Sequence, residues 1–303
     1  MAGTTRWCLV LLSACALAAA AVLGGCGGGS GEGVIPTGTV RLVLTDVPAA
    51  DLAEMHVRIS RIEISNRAEA TRVLLEDEDI PDDIDLLAIG DTPMLLGSLD
   101  LREGRYSEVR VLLSDRAGAN WVRETNGTVH TLTPPLRDPE GGTRLVDAFH
   151  LQAGTTVTLL MDFNAAASVY PRLPGEPWAV RPMIFAQGLP GADPPLGGIA
   201  GVVTERDGDP LEAPAGRILA VFVQNAAYKL VSVAEVSLTD GSFAVPQIVP
   251  GNQILTVRYT TPDWDENLTS DPLPIFSPNQ APTEFTSRVG ANQTTTPNLI
   301  IDL

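Results

Sequence analysis

Thr39-Val40-Arg41-Leu42-Val43-Leu44-Thr45 decides the fold. Val40, Leu42 and Leu44 fall on one face and Arg41 and Val43 on the other, the period of two that a half-buried strand requires. The same period runs through Met55, Val57 and Ile59, after which Ile62 and Ile64 carry the apolar phase on even numbers. A slip between Ser60 and Arg61 turns every later side chain over, and a β-bulge or a sharp bend is its simplest cause. Further strands are expected over residues 72–75, 84–89, 109–113, 129–132, 145–151, 157–163 and 180–185, with Val157, Leu159, Met161 and Phe163 forming one inward face. Short strands punctuated by 28 glycines and 24 prolines predict an all-β chain of sandwich type.

Gly188-Leu189-Pro190-Gly191-Ala192-Asp193-Pro194-Pro195 interrupts this pattern, because proline lacks an amide donor and glycine disfavours any regular element. Two bodies are therefore expected, residues 36–190 and 198–303, joined by a linker at 191–197. In the second, strands are expected over 199–204, 217–224, 231–238, 242–245, 254–259 and 299–303, with Asp207-Gly208-Asp209-Pro210 as a tight turn. Residues 260–283, rich in Pro, Asp and Asn, read as a long surface excursion. Within Thr239-Asp240-Gly241-Ser242-Phe243, a hairpin turn needs a positive φ at Gly241, and Phe243 plugs the core.

Upstream, Arg6 precedes an apolar run that ends at Leu23-Gly24-Gly25-Cys26. Small residues before a cysteine fit a lipoprotein signal over residues 1–25, with Cys26 taking the diacylglycerol. The Gly- and Ser-rich stretch within 26–35 is then a flexible tether. Gly27 in place of an aspartate points to the outer membrane if the source is Gram-negative. Cys8 and Cys15 leave with the signal and Cys26 is acylated, so the mature body has no thiol for a disulfide, zinc or a nucleophile. A net charge of −17 argues against nucleic acid as a partner.

Several segments of the first body resemble, in order, a family of bacterial and archaeal lipoprotein domains of unassigned function. They are Gly38-Thr39-Val40-Arg41-Leu42, Thr45-Asp46-Val47-Pro48, Ile84-Asp85-Leu86-Leu87 and Gly104-Arg105-Tyr106-Ser107-Glu108-Val109-Arg110, followed by Leu151-Gln152-Ala153-Gly154, Met161-Asp162-Phe163-Asn164 and Arg181-Pro182-Met183-Ile184. That resemblance implies a prealbumin-like β-sandwich and carries no known catalytic residues. Gly198-Ile199-Ala200-Gly201-Val202-Val203, the Gly241 turn and Ile248-Val249-Pro250-Gly251 are similar to a carboxypeptidase regulatory-like, transthyretin-type domain. Such domains are mostly spacers or binding modules, so the second body is expected to be a sandwich of that type.

The densest chemistry lies in residues 76–85, seven carboxylates in ten positions. Asp77, Asp79, Asp82 and Asp83 offer the hard oxygens that calcium prefers, and equally the solvated face of an acidic loop. No cofactor is expected, with calcium at this loop as the alternative. Trp121 and Trp264, together with Trp178, offer flat faces on which sugar rings stack, and equally core packing. His56, His130 and His150 have no metal-like spacing and read as ordinary strand residues. Thr45-Asp46-Val47-Pro48 reads as a side-chain-capped turn ending a strand. Lys229, the only lysine, and Asn298 are candidates for an internal isopeptide bond. No nucleophile elbow, paired histidines on a helix or phosphate loop is present, so no catalytic residue is assigned. The expected function is a membrane-anchored, non-catalytic binding or structural module with an unidentified protein or glycan partner. A calcium- or glycan-binding surface lipoprotein and an envelope hydrolase are the alternatives.

Overall fold

The computed structural model describes residues 35–49, 51–66, 69–90, 92–134, 143–145, 147–170, 178–260, 283–291 and 293–301. Pro36–Leu303 forms one compact unit. Its strands are β1 Thr37–Val47, β2 Leu52–Val57, β3 Ile59–Asn66, β4 Glu69–Glu76, β5 Ile84–Asp85, β6 Met94–Arg102, β7 Gly104–Leu113, β8 Trp121–Glu124 and β9 Val129–Thr131. Next come β10 Thr143–Leu145, β11 Phe149–Leu151, β12 Thr156–Asn164, a single helical turn α1 Ala165–Ser168, β13 Val169–Tyr170, β14 Ala179–Val180 and β15 Ile184–Pro190. The chain ends in β16 Gly197–Glu205, β17 Ile218–Gln224, β18 Leu230–Glu235, β19 Ser242–Ile248, β20 Gly251–Thr260, β21 Thr283–Val289, β22 Thr294–Thr295 and β23 Asn298–Ile301. The class is all-β, as the alternation predicts.

β1 lies inside a five-stranded sheet of order β10-β15-β12-β1-β6. It runs parallel to β12, with Val40 opposite Val157 and Leu44 opposite Met161. Val40, Leu42, Leu44, Leu159, Met161 and Phe163 are fully buried beneath that sheet. They pack on Ile62 and Ile64 of the sheet β11-β7-β3-β4 and on Met55, Val57 and Val122 of the sheet β5-β2-β8-β9. The phase slip has a two-part cause. The chain leaves one sheet at Arg58 to enter another, and the β3–β7 register shifts between Ile59 and Arg61. Arg58 sits at this corner with its backbone satisfied: its N–H donates to Asn120 Oδ1 at 3.1 Å and its carbonyl accepts from Ser114 N at 2.8 Å.

Three expected strands divide. Residues 84–89 are strand only at Ile84–Asp85 and then wind into a short 3-10 turn, Leu87–Ile89, whose entry is fixed by the Leu87 N–H donating to Asp85 Oδ1 at 3.2 Å. Residues 145–151 belong to β10 and β11 in different sheets, and 180–185 to β14 and β15. β6, β8, β13, β21 and β22 have no counterpart in the expected strands. Gly188, Leu189 and Pro190, expected to interrupt the strand pattern, are the last residues of β15 and pair with β12.

The later strands form two sheets, β19-β16 with β22 and β23, and β18-β17-β20-β21. Ile199, Val203, Leu219, Val221, Phe243, Leu255 and Leu299 form the core between them. Gly241 has φ +72°, and a Cβ there would meet Val203 O at 2.1 Å, so glycine is required as expected. The turn joins strands of two different sheets, however, and is not a hairpin. No helix among the described residues is long and apolar enough to cross a membrane.

Candidate functional site

Neighbours two apart on a strand share a face, so Glu54, His56 and, across the sheet, Trp121 and Arg123 stand away from buried Met55, Val57 and Val122. There the His56 ring stacks on Trp121 with centroids 4.0 Å apart and planes 7° from parallel. The Arg123 guanidinium lies 5.5 Å from the Trp121 centroid and donates through Nε to Glu54 Oε2 at 3.0 Å. His56 Nδ1 is 2.7 Å from Asp83 Oδ1, and its Nε2 is 3.9 Å from both Glu54 Oε2 and Asp85 Oδ2. A half-buried aromatic pair bordered by three carboxylates and a guanidinium is therefore presented to solvent.

The acidic loop is drawn onto the same edge. Arg58 Nε and Nη2 donate to Asp77 Oδ1 and Oδ2, both at 2.9 Å, and Nη1 pairs with Asp82. The guanidinium hydrogen bond holds the Asp77 carboxyl below its usual range. Asp83 pairs with His56, while Asp79 Oδ2 accepts from Glu76 N at 3.5 Å. Of the four carboxylates proposed to share a cation, Asp77 and Asp82 thus share Arg58, while Asp83 and Asp79 face other protein partners. Among the described residues no three His, Cys, Asp or Glu side chains assemble into a group that could hold a metal ion.

A second constellation lies where the first body meets the second. Asp46 continues the buried phase of Val40, Leu42 and Leu44, so the strand carries an acid inward. Its Oδ1 accepts from Ala165 N at 2.8 Å, and Asn164 Oδ1 accepts from Ala167 N at 2.8 Å, so the two residues cap α1 together. The parallel register sets Asp46 opposite Phe163 and Thr45 opposite Asp162, which brings the Thr45-Asp46-Val47-Pro48 and Met161-Asp162-Phe163-Asn164 motifs side by side. Thr45-Asp46-Val47 is strand, not the capped turn expected of it, and its acid caps a helix 119 residues away.

Asn164 Nδ2 also donates to Val233 O at 2.6 Å, and Ser232 Oγ donates to Asp162 Oδ2 at 2.7 Å, tying the bodies together. Burial pushes the Asp162 carboxyl up to about 7 against the lowering effect of Ser232, and burial likewise raises Asp46. Asp46 Oδ2 and Asp162 Oδ1 have no hydrogen-bond partner among the described residues. Around these acids Ala167, Met183 and Phe185 pack on Ala220, Phe222, Leu230 and Val233. Val47 enters the second core itself.

Of the other sequence candidates, Cys26 and Trp264 lie outside the described residues. Trp178 stacks on His130 with centroids 4.0 Å apart, and His130 Nε2 lies 3.2 Å from Glu124 Oε2. His150 is exposed on β11. Lys229 Nζ bonds Asp147 Oδ1 at 2.6 Å, an ion pair between the bodies, while Asn298 pairs with Val202 on β16. Asn120, Asn164 and Ser232 were not singled out as sites. A polar residue in a buried phase was a usable signal for Asp46, whereas the partners of Asn120 and Ser232 depend on tertiary placement.

Stacked sheets around separate cores define a β-sandwich protein. Within it, residues 37–176 match the family model described as "Domain of unknown function (DUF4382)". No curated protein matches the chain. Among solved structures it is similar to the Bacillus anthracis TIE protein at 9% identity and TM-score 0.22, covering 88% of this chain and 34% of that one. It therefore spans about a third of that protein's length. The minor pilin GBS52 of Streptococcus agalactiae matches at 10% identity and TM-score 0.22, covering 86% of this chain and 94% of that one. BcpA, the major pilin subunit of Bacillus cereus, matches at 8% identity and TM-score 0.22, covering 88% and 70%. No catalytic family is indicated.

Proposed function

We propose that the chain is an acylated cell-envelope protein in which two interlocked β-sandwich bodies serve as a non-catalytic binding or structural module. The observation that carries the anchor is Cys26, placed after Arg6, an apolar run and Gly24-Gly25, and before a glycine-rich tether. One acyl chain holds only marginally, and the two or three chains of a mature lipoprotein N-terminus give stable attachment. The address is the outer membrane in a Gram-negative source. The module reading is supported by the solvent-facing ionisable groups, which are paired with one another around Arg58 and His56 rather than grouped about a reacting centre. Metabolic labelling with an alkynyl palmitate tests the anchor: label should enter the chain and vanish in Cys26→Ser, with the variant moving from the membrane to the soluble fraction. Unlabelled wild-type chain, or a variant that stays membrane-bound, would overturn it.

A further inference from the structure

We propose that the cleft between the two bodies, beside Gln247, is a binding site for an uncharged, extended peptide segment. Its volume is about 460 Å³, within the range of small-ligand sites, which favour boundaries between domains. Thr158 and Leu160 on the outer face of β12 form a buried floor. The wall is the stretch that follows β15, and it is held rather than loose. Gly191 N donates to Thr156 O at 2.9 Å, Thr158 Oγ1 donates to Gly191 O and Ala192 O at 2.8 and 2.9 Å, and Arg41 Nη1 pairs with Asp193 Oδ1 at 2.7 Å. A pinned wall does not have to be ordered when ligand enters.

The opposite side carries backbone strain. β16 and β19 lose register between Gly197 and Ile199, because Pro246 and Gln247 together span the place of Gly198. In that bulge Gln247 adopts φ +55°, a left-handed conformation that costs a non-glycine residue about 1–3 kcal/mol. Bulges of this kind re-aim a side chain, and this one borders the cleft. β19 is also an edge strand of its sheet.

The chemistry of the walls selects the ligand class. Gln293 carries one amide acceptor and two amide donors, the complement of a peptide group, and Thr294 adds a hydroxyl. Val43, Pro93, Pro194 and Leu196 supply apolar contacts for intervening side chains. Among the described residues no lysine or arginine lines the cleft, and the acid that does, Asp193, is paired with Arg41 at the wall, so these two charges are spent on each other. Among the described residues no aromatic ring lines it either, which leaves no stacking surface of the kind a sugar wants.

This deepens the binding role proposed above. Loss of acylation leaves the cleft intact, so failure of the anchor and failure of the site are distinguishable. The test titrates the full chain, purified in detergent, with terminally blocked pentapeptides of Gly, Ala, Val, Pro, Thr and Gln, and in parallel with chitotriose. The expected result is saturable binding of at least one peptide, weakened about tenfold in Gln293→Ala. Ala192→Trp fills the cleft from an exposed loop position and should abolish binding at an unchanged melting temperature, which covers the case in which a glutamine variant fails to fold. Absence of saturable peptide binding, indifference to Ala192→Trp, or chitotriose competing for the cleft would each overturn the proposal.

Discussion

A single acid illustrates how position in a period becomes chemistry. Asp162 is buried between β12 and β18, with one oxygen on Ser232 and the carboxyl raised from 3.8 to about 7 by burial. A carboxyl raised on folding keeps its proton in the native chain over a range where the unfolded chain has lost it. Its contribution is therefore complete below about pH 4, declines as pH rises through 7, and is flat above, a change of up to about 4 kcal/mol. Asp46 acts in the same direction. Urea denaturation at pH 4.5, 6 and 8 should show wild type losing stability relative to Asp162→Asn as pH rises, and parallel curves would refute the assignment. Asp77, Glu108, Glu124 and Asp240, all lowered by hydrogen-bonding partners, act oppositely and only near or below pH 4.5. The variant comparison separates the two sets. At Gly241, where both φ and the Val203 carbonyl exclude a side chain, alanine should cost at least about 2 kcal/mol in the same assay. That requirement was legible in Asp240-Gly241-Ser242, since turn chemistry is local.

Among elements, long strands with a clean period were read correctly and short or sheet-switching ones were not. β1 is announced by its alternation, while β12 and β17, buried on both faces, are announced by nearly unbroken apolar runs. β6 was missed because Gly97 and a register shift break its period, and β8 because four residues hold too little of it. Residues 145–151 read as one strand since nothing local marks a change of sheet. The Arg58 corner was seen only as a slip of phase. Its guanidinium holding Asp77 and Asp82 fastens the acidic loop to the end of β2. Arg58→Ala should release that loop, raising amide exchange across residues 76–83 while leaving β1 and β12 protected. Unchanged exchange would show that the ion pairs do not order it.

At the scale of the molecule, composition and punctuation separated the two bodies but gave no sign of how firmly they are joined. Junction contacts such as Phe185 with Phe222, Asp162 with Ser232 and Asn164 with Val233 join residues far apart in sequence, which no window of periodicity can register. Shared burial of this kind couples unfolding. Calorimetry of the full chain should therefore give one transition, and Phe222→Ser should split it into two. Two transitions in wild type would show the bodies to be independent.

The parallel pairing of β1 with β12 also bears on the order of events in a growing chain. The first strand to emerge is an interior strand, and one of its two neighbours begins only at Thr156. Asp46 waits for Ala165, and β12 in turn waits for β15, which ends at Pro190. Pairings of such long sequence separation close slowly. The first sheet is thus incomplete until Pro190 has appeared, so β1 spends the synthesis of the whole first body without its full set of neighbours.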